Sequence, residues 1–99
     1  MVNRVVVTGL GCISPLGNNM KDTWKNLLNG KSGVTNISRF DASGYKTRIA
    51  AEVKGFDPAG LFGNKEARRM DRYTQFALAS TMEALDHSGL KIDDSNRDR

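Results

Sequence analysis

Arg4-Val5-Val6-Val7-Thr8, followed at once by Gly9-Leu10-Gly11, is the stretch on which the fold turns. Three β-branched residues in a row leave no room for alternation. They fit a strand covered on both faces, the kind found inside parallel sheets. The glycines interrupt it, and Ser14-Pro15-Leu16-Gly17 is loop chemistry. Gly9 and Gly11 predict a tight strand-to-loop turn that needs small residues.

Downstream, Asn18 or Asn19 can cap a helix running from about Met20 to Asn29. Trp24, Leu27 and Leu28 then fall on one apolar stripe, and Gly30 is placed to end the helix in a left-handed conformation. Residues 31–46 read as irregular. Arg48 to Val53 alternates, with Ile49, Ala51 and Val53 facing one way and Arg48 and Glu52 the other, as in a half-buried strand. Gly55 and Asp57-Pro58 end it. A helical stretch follows from about Asn64 to Ser88, with a break expected near Asp71 and Gly89 as its stop.

Strand, helix, strand, helix argues for an α/β layer architecture. That architecture looks unfinished. A strand buried on both faces needs neighbours, and few segments here can supply them. In the long helix Met70, Ala77, Leu78 and Leu85 share one face, while Phe76 points roughly 120° or more away. A helix apolar on two sides wants two neighbours, so a larger fold or a partner chain is implied.

Composition agrees. Ninety-nine residues make one small domain or a piece of a larger one. Hydrophobic residues are 38% and charged residues 26%, lean for a self-sufficient core yet too apolar for a disordered chain. Fifteen basic residues against eleven acidic ones leave a net charge of +4, which permits an anionic partner without naming one. A single cysteine excludes an internal disulfide, and with a single histidine it excludes a Cys/His zinc cluster. No apolar run approaches the ~20 residues of a membrane span. Val5-Val6-Val7 is shorter than a secretory apolar core of ~7–15 residues, so a cytoplasmic setting is expected. In that setting the glycosylation pattern Asn36-Ile37-Ser38 carries no meaning.

Several motifs reduce to local structure. Gly9-x-Gly11-x-x-Ser14 imitates a dinucleotide fingerprint, but the third glycine is missing and Pro15 and Gly17 prevent a helix from opening there. Gly30-Lys31-Ser32 imitates the end of a phosphate-binding loop, but Lys25 stands where that loop needs glycine and a helix precedes rather than follows. Cys12 and His87 lie on separate elements with no spacing to pair them as nucleophile and base. A packed thiol and a partly exposed residue of a helix's last turn are the expected states.

The basic cluster is more informative. Lys65, Arg68, Arg69 and Arg72 fall within about 100° of one another on a helical wheel. At the start of a long helix such cations oppose the helix dipole by ~0.3–1 kcal/mol each, and an anionic partner would relieve them. A solvated face that only keeps the chain soluble is the plain alternative. Nucleic acid is disfavoured, because no aromatic residue interleaves with the basic ones to stack bases.

Taken together, these segments resemble the β-ketoacyl-acyl carrier protein synthase II family. The resemblance runs from Val5 to Gly11 through Ser14-Pro15-Leu16-Gly17, Thr23-Trp24 and Leu27-Leu28. It continues at Gly30 to Val34, Phe40-Asp41, Lys65 to Asp71 and Asp86 to Leu90, in order and spacing. Cys12 departs from it, since the family usually holds another small or apolar residue there.

The resemblance implies the N-terminal segment, residues 1–99, of a ketoacyl synthase N-terminal domain. It covers about the first quarter of such an enzyme. The implied fold is the N-terminal part of a thiolase-like five-layered α/β sandwich, assembled as a homodimer and incomplete in this chain. The implied reaction is a decarboxylative Claisen condensation that uses a cysteine and two histidines. None of those three has a match here, so no catalytic residue is carried over, and these residues alone are expected to be inactive. Lys65, Arg68 and Arg69 match the family's docking residues for the acidic acyl carrier protein; Arg72 does not belong to that motif. Neither a metal nor an organic cofactor is implied. A polyketide ketosynthase or chain-length subunit is the near alternative, and a small basic nucleic-acid-binding module the distant one.

Overall fold

The computed structural model describes residues 2–99. Helix α1 spans Met20–Leu28. It begins where expected because the Asn19 side-chain oxygen accepts the Asp22 N–H at 2.7 Å. It ends as expected too: Gly30 has φ +67°, and the Gly30 and Lys31 amides return to the Leu27 and Asn26 carbonyls at 3.0 Å each. The Ser14–Gly17 turn closes on itself at 2.9 and 3.1 Å. It is fastened to α1 by Ser14 Oγ to Thr23 Oγ1 at 2.8 Å and by Asn26 Nδ2 donating to Leu16 O.

Strand β2, Ile49–Ala51, lies inside the alternating stretch. Its partner β1, Val34–Asn36, falls in the region expected to be irregular. Three residues are too few for a periodic signal, so only the pairing reveals the strand. The pair is antiparallel, with Val34 opposite Ala51 and Asn36 opposite Ile49. Val34, Ile49 and Ala51 therefore share one face, and that face is uncovered. Just beyond β2, the Glu52 carboxylate accepts from the Ser38 hydroxyl (2.9 Å), the Ser38 amide (3.1 Å) and the Arg39 amide (3.3 Å). Chiefly the Ser38 hydroxyl, then its amide, hold this carboxyl below its ordinary range.

Helix α2, Pro58–Phe62, was not expected. Asp57-Pro58 reads as a strand stop but serves as a helix start, with Asp57 Oδ1 accepting the Gly60 N–H at 3.2 Å. The long helical stretch divides into α3, Asn64–Arg69, and α4, Arg72–Ser88. Met70 and Asp71 between them are both extended, with ψ of 137° and 156°. Gly89 closes α4 at φ +70°.

The larger departure concerns Arg4 to Thr8, which forms no strand and pairs with nothing among the described residues. Val5 is 94% exposed. A central strand takes its ladder hydrogen bonds and its cover from flanking segments, and residues 2–99 supply neither. The reason for the glycines changes as well. Neither Gly9 nor Gly11 has positive φ. Instead both lie against α4: a Cβ on Gly9 would meet the Ala84 carbonyl oxygen, and one on Gly11 the Ser80 carbonyl oxygen. In the full-length protein Gly11→Ala should therefore lower stability by about 1–3 kcal/mol, the usual cost of overpacking. An unchanged melting temperature would show that the chain can step back from α4 freely.

Polar bonds complete this seam. Glu83 on α4 accepts the Cys12 N–H at 2.9 Å and the Met20 N–H at 3.0 Å through the same oxygen. His87 Nδ1 accepts the Leu10 N–H at 3.1 Å. Phe76 meets Phe56 edge-on at 5.1 Å, so one side of α4 is covered. Leu78 and Met82 stay exposed, so the other is not. The Trp24, Leu27 and Leu28 stripe of α1 is also open.

The core is correspondingly thin. Among the described residues Ala42 and Ala79 are the buried apolar ones, and Gln75 is the buried polar one. The accessible surface is 8193 Å², against about 5,600 Å² for a folded monomer of 10.9 kDa. The radius of gyration is 17.3 Å, against about 13 Å for a compact domain of this length.

Candidate functional site

The residues singled out for binding occupy α3. Lys65, Arg68 and Arg69 are all exposed and stand at i, i+3 and i+4, which places them on one face of this six-residue helix. Glu66 comes within 3.8 Å of Arg69, with both side chains more than half exposed. Such a pair is worth little in water and leaves the arginine available.

The break at Met70–Asp71 overturns the dipole argument. In one long helix these cations would sit at its start. Here Arg68 and Arg69 are in the last turn of α3, where the helix dipole favours positive charge. Lys65 alone stands near the N-terminus of α3. An anionic partner is thus not needed to relieve the helix, and the case for one rests on exposure and a shared face.

Arg72 leaves the cluster. As the first residue of α4 it donates from Nη2 to the Val53 carbonyl at 3.1 Å and lies 4.8 Å over the Phe76 ring. Burial, and secondarily the charge of Arg39, push its pKa down, with Glu52 opposing. Its guanidinium ties β2's exit to α4 and is committed to that task.

Gln75 was missed. It is 8% exposed, and its Nε2 donates to the Ala67 carbonyl at 2.9 Å and to the Met70 carbonyl at 3.4 Å. The two acceptors lie on α3 and on the extended residue that follows it. A signal existed: Gln75, Ala79 and Glu83 recur every four residues, so a polar residue occupies the same stripe as the buried alanine.

Cys12 is half-buried, and among the described residues no hydrogen bond joins its thiol to His87. Gly9-x-Gly11 faces the backbone of α4 rather than an open cradle. Gly30-Lys31-Ser32 leads from α1 into β1 and opens no helix. Two open clefts, of about 530 and 580 Å³, flank Glu83; Ile13, Phe56, Leu61 and Met82 line the first, and Leu10, Met20 and Trp24 the second. Among the described residues no group of three or more His, Cys, Asp or Glu is placed to hold a metal ion, and no helix is long and apolar enough to cross a membrane.

Comparison with known proteins matches this arrangement along almost its whole length. A model of the family described as "Beta-ketoacyl synthase, N-terminal domain" fits residues 2–99. The protein named 3-oxoacyl-[acyl-carrier-protein] synthase 2 in Coxiella burnetii is 53% identical over 96 residues, which cover 97% of this chain and 23% of that protein. Its namesake in Vibrio harveyi is 48% identical over the same coverage. The chain thus spans about a quarter of the length of these relatives. A solved structure titled "The ishigamide ketosynthase/chain length factor" superposes with a TM-score of 0.77 at 36% identity, over 90% of this chain and 22% of that one. The α/β elements described above are the N-terminal part of that ketosynthase fold.

Proposed function

Because the chain belongs to the β-ketoacyl synthase family through its N-terminal domain, we propose that it serves in a 3-oxoacyl-acyl carrier protein synthase. In that reaction an acyl group passes from its carrier thioester to an enzyme cysteine, releasing the carrier thiol. Malonyl-carrier protein then loses carbon dioxide. The resulting carbanion attacks the acyl thioester, the cysteine thiolate leaves, and a 3-oxoacyl-carrier protein two carbons longer remains. The identity to the Coxiella burnetii synthase carries this reading. Sequence identity to the solved ketosynthase/chain length factor is lower, which favours fatty-acid elongation over the polyketide alternative.

No residue of this chain is assigned to bond making. What the chain contributes is a docking face of Lys65, Arg68 and Arg69 for an acidic acyl carrier protein. Opposite charge brings the carrier to the surface and orients it before close contact forms. The prosthetic arm comes with the carrier, so the chain itself is assigned no cofactor. A homodimer working in the cytoplasm completes the proposal.

The test uses the purified full-length protein with acyl- and malonyl-carrier protein. Carbon dioxide release coupled to a 3-oxoacyl product is expected, and the 99-residue chain alone should give neither. Failure of the full-length protein to elongate any acyl-carrier protein would reject the assignment.

A further inference from the structure

Helix α3 is short, lies at the surface, and is followed by two extended residues, Met70 and Asp71. It packs mainly against the five-residue α2. Two extended residues in succession form a joint about which a six-residue helix could swivel. Hydrogen bonds across the joint add to that packing in setting its direction.

The Gln75 side chain spans this joint. Rooted in the first turn of α4, its amide reaches back to the Ala67 carbonyl inside α3 and to the Met70 carbonyl at the joint. The last carbonyls of a helix lack full partners within it; that of Ala67 accepts a long bond from the Met70 N–H at 3.4 Å, so the Gln75 amide at 2.9 Å is its shorter donor. Asp71 offers no side-chain cap at the start of α4. Nearby, Arg72 fastens the start of α4 to Val53, so the base from which Gln75 reaches is itself held.

We propose that Gln75 is a positioning residue for partner docking: by holding α3 to α4 across the Met70–Asp71 joint, it fixes the direction in which Lys65, Arg68 and Arg69 face. This rests on the docking reading above. Gln75 touches no carrier protein itself. Its effect is to keep α3 in one orientation, so that the carrier does not lose affinity to conformations that cannot dock.

In the full-length protein Gln75→Met keeps the volume and removes both donors, while every charge on α3 remains. The KM for acyl-carrier protein should rise about three- to tenfold, the range one such hydrogen bond can shift a population. At saturating carrier kcat should follow wild type, and KM for a small carrier-free acyl thioester should not move. Amide exchange in residues 64–69 should quicken while exchange in the middle of α4 does not. Gln75→Glu, whose carboxylate has no N–H to donate, should reproduce the effect and serves if the methionine variant folds poorly.

An equal rise in KM for carrier-bound and carrier-free substrates would mean a general structural role and overturn the inference. So would unchanged exchange in α3. If charge reversal at Lys65, Arg68 and Arg69 raises the carrier KM while neither Gln75 variant does, this inference fails and the docking face stands. If neither class of variant raises it, the docking face fails and this inference with it.

Discussion

Expressed by itself, the 99-residue chain will unfold without a cooperative transition on heating and will bind a hydrophobic dye at room temperature. Its surface exceeds that of a folded monomer of its mass by about 2,600 Å². If about half of that excess is apolar, its exposure forgoes on the order of 30 kcal/mol of burial at ~25 cal/mol per Å². An ordinary domain is stable by only about 5–15 kcal/mol in all, so two buried alanines and one buried glutamine cannot substitute for the missing cover. Far-ultraviolet circular dichroism should show helix, because α1 and α4 carry their own end signals, while the near-ultraviolet aromatic bands stay weak. A sharp melt with strong aromatic ellipticity would mean that the chain closes on itself and covers this surface unaided.

Reversing Lys65, Arg68 and Arg69 together to glutamate in the full-length protein should slow carrier association by about 10- to 1000-fold at low salt. Three exposed cations become three anions on one face, so attraction of an acidic partner turns into repulsion. Dissociation should change much less, since exposed charges act mainly while the partners approach. The gap should narrow as salt rises, because the screening length falls from about 10 Å at 0.1 M to about 3 Å at 1 M. Stopped-flow association against ionic strength measures this directly. Arg72→Gln should behave differently. Its guanidinium is held by the Val53 carbonyl and the Phe76 ring, so the loss should appear in the melting temperature and leave the salt dependence alone. Equal association rates for the triple variant and wild type would remove α3 from the interface.

Local signals were legible and non-local ones were not. Asn19, Gly30 and Gly89 mark helix ends through bonds within a few residues, and the structure places those ends within a residue of where the sequence puts them. The break near Asp71 was visible for the same reason. The strand β1 was not, because three residues carry no period and the pairing is made with residues about fifteen positions away. The valine run had the composition of a central strand, yet pairing belongs to neighbours rather than to the segment. Gly9 and Gly11 suggest a turn from sequence but are a contact surface for α4, since glycine signals close approach and unusual φ equally well. At the candidate site, a helical wheel grouped Arg72 with Lys65, Arg68 and Arg69 because it assumed one unbroken helix. The joint at Met70 turns Arg72 inward and brings Gln75 into use.

The bare valine ribbon at Val5-Val6-Val7 also bears on synthesis. In a polypeptide as long as the relatives, translation at about 5–20 residues per second leaves these residues outside the ribosome for tens of seconds before later segments can pair with them. Throughout that interval they are an adhesive edge of high β-propensity, guarded on one side by the single charge of Arg4. A nascent chain of that length would present this edge to holding chaperones, and crowding on a polysome is where its misassembly would begin.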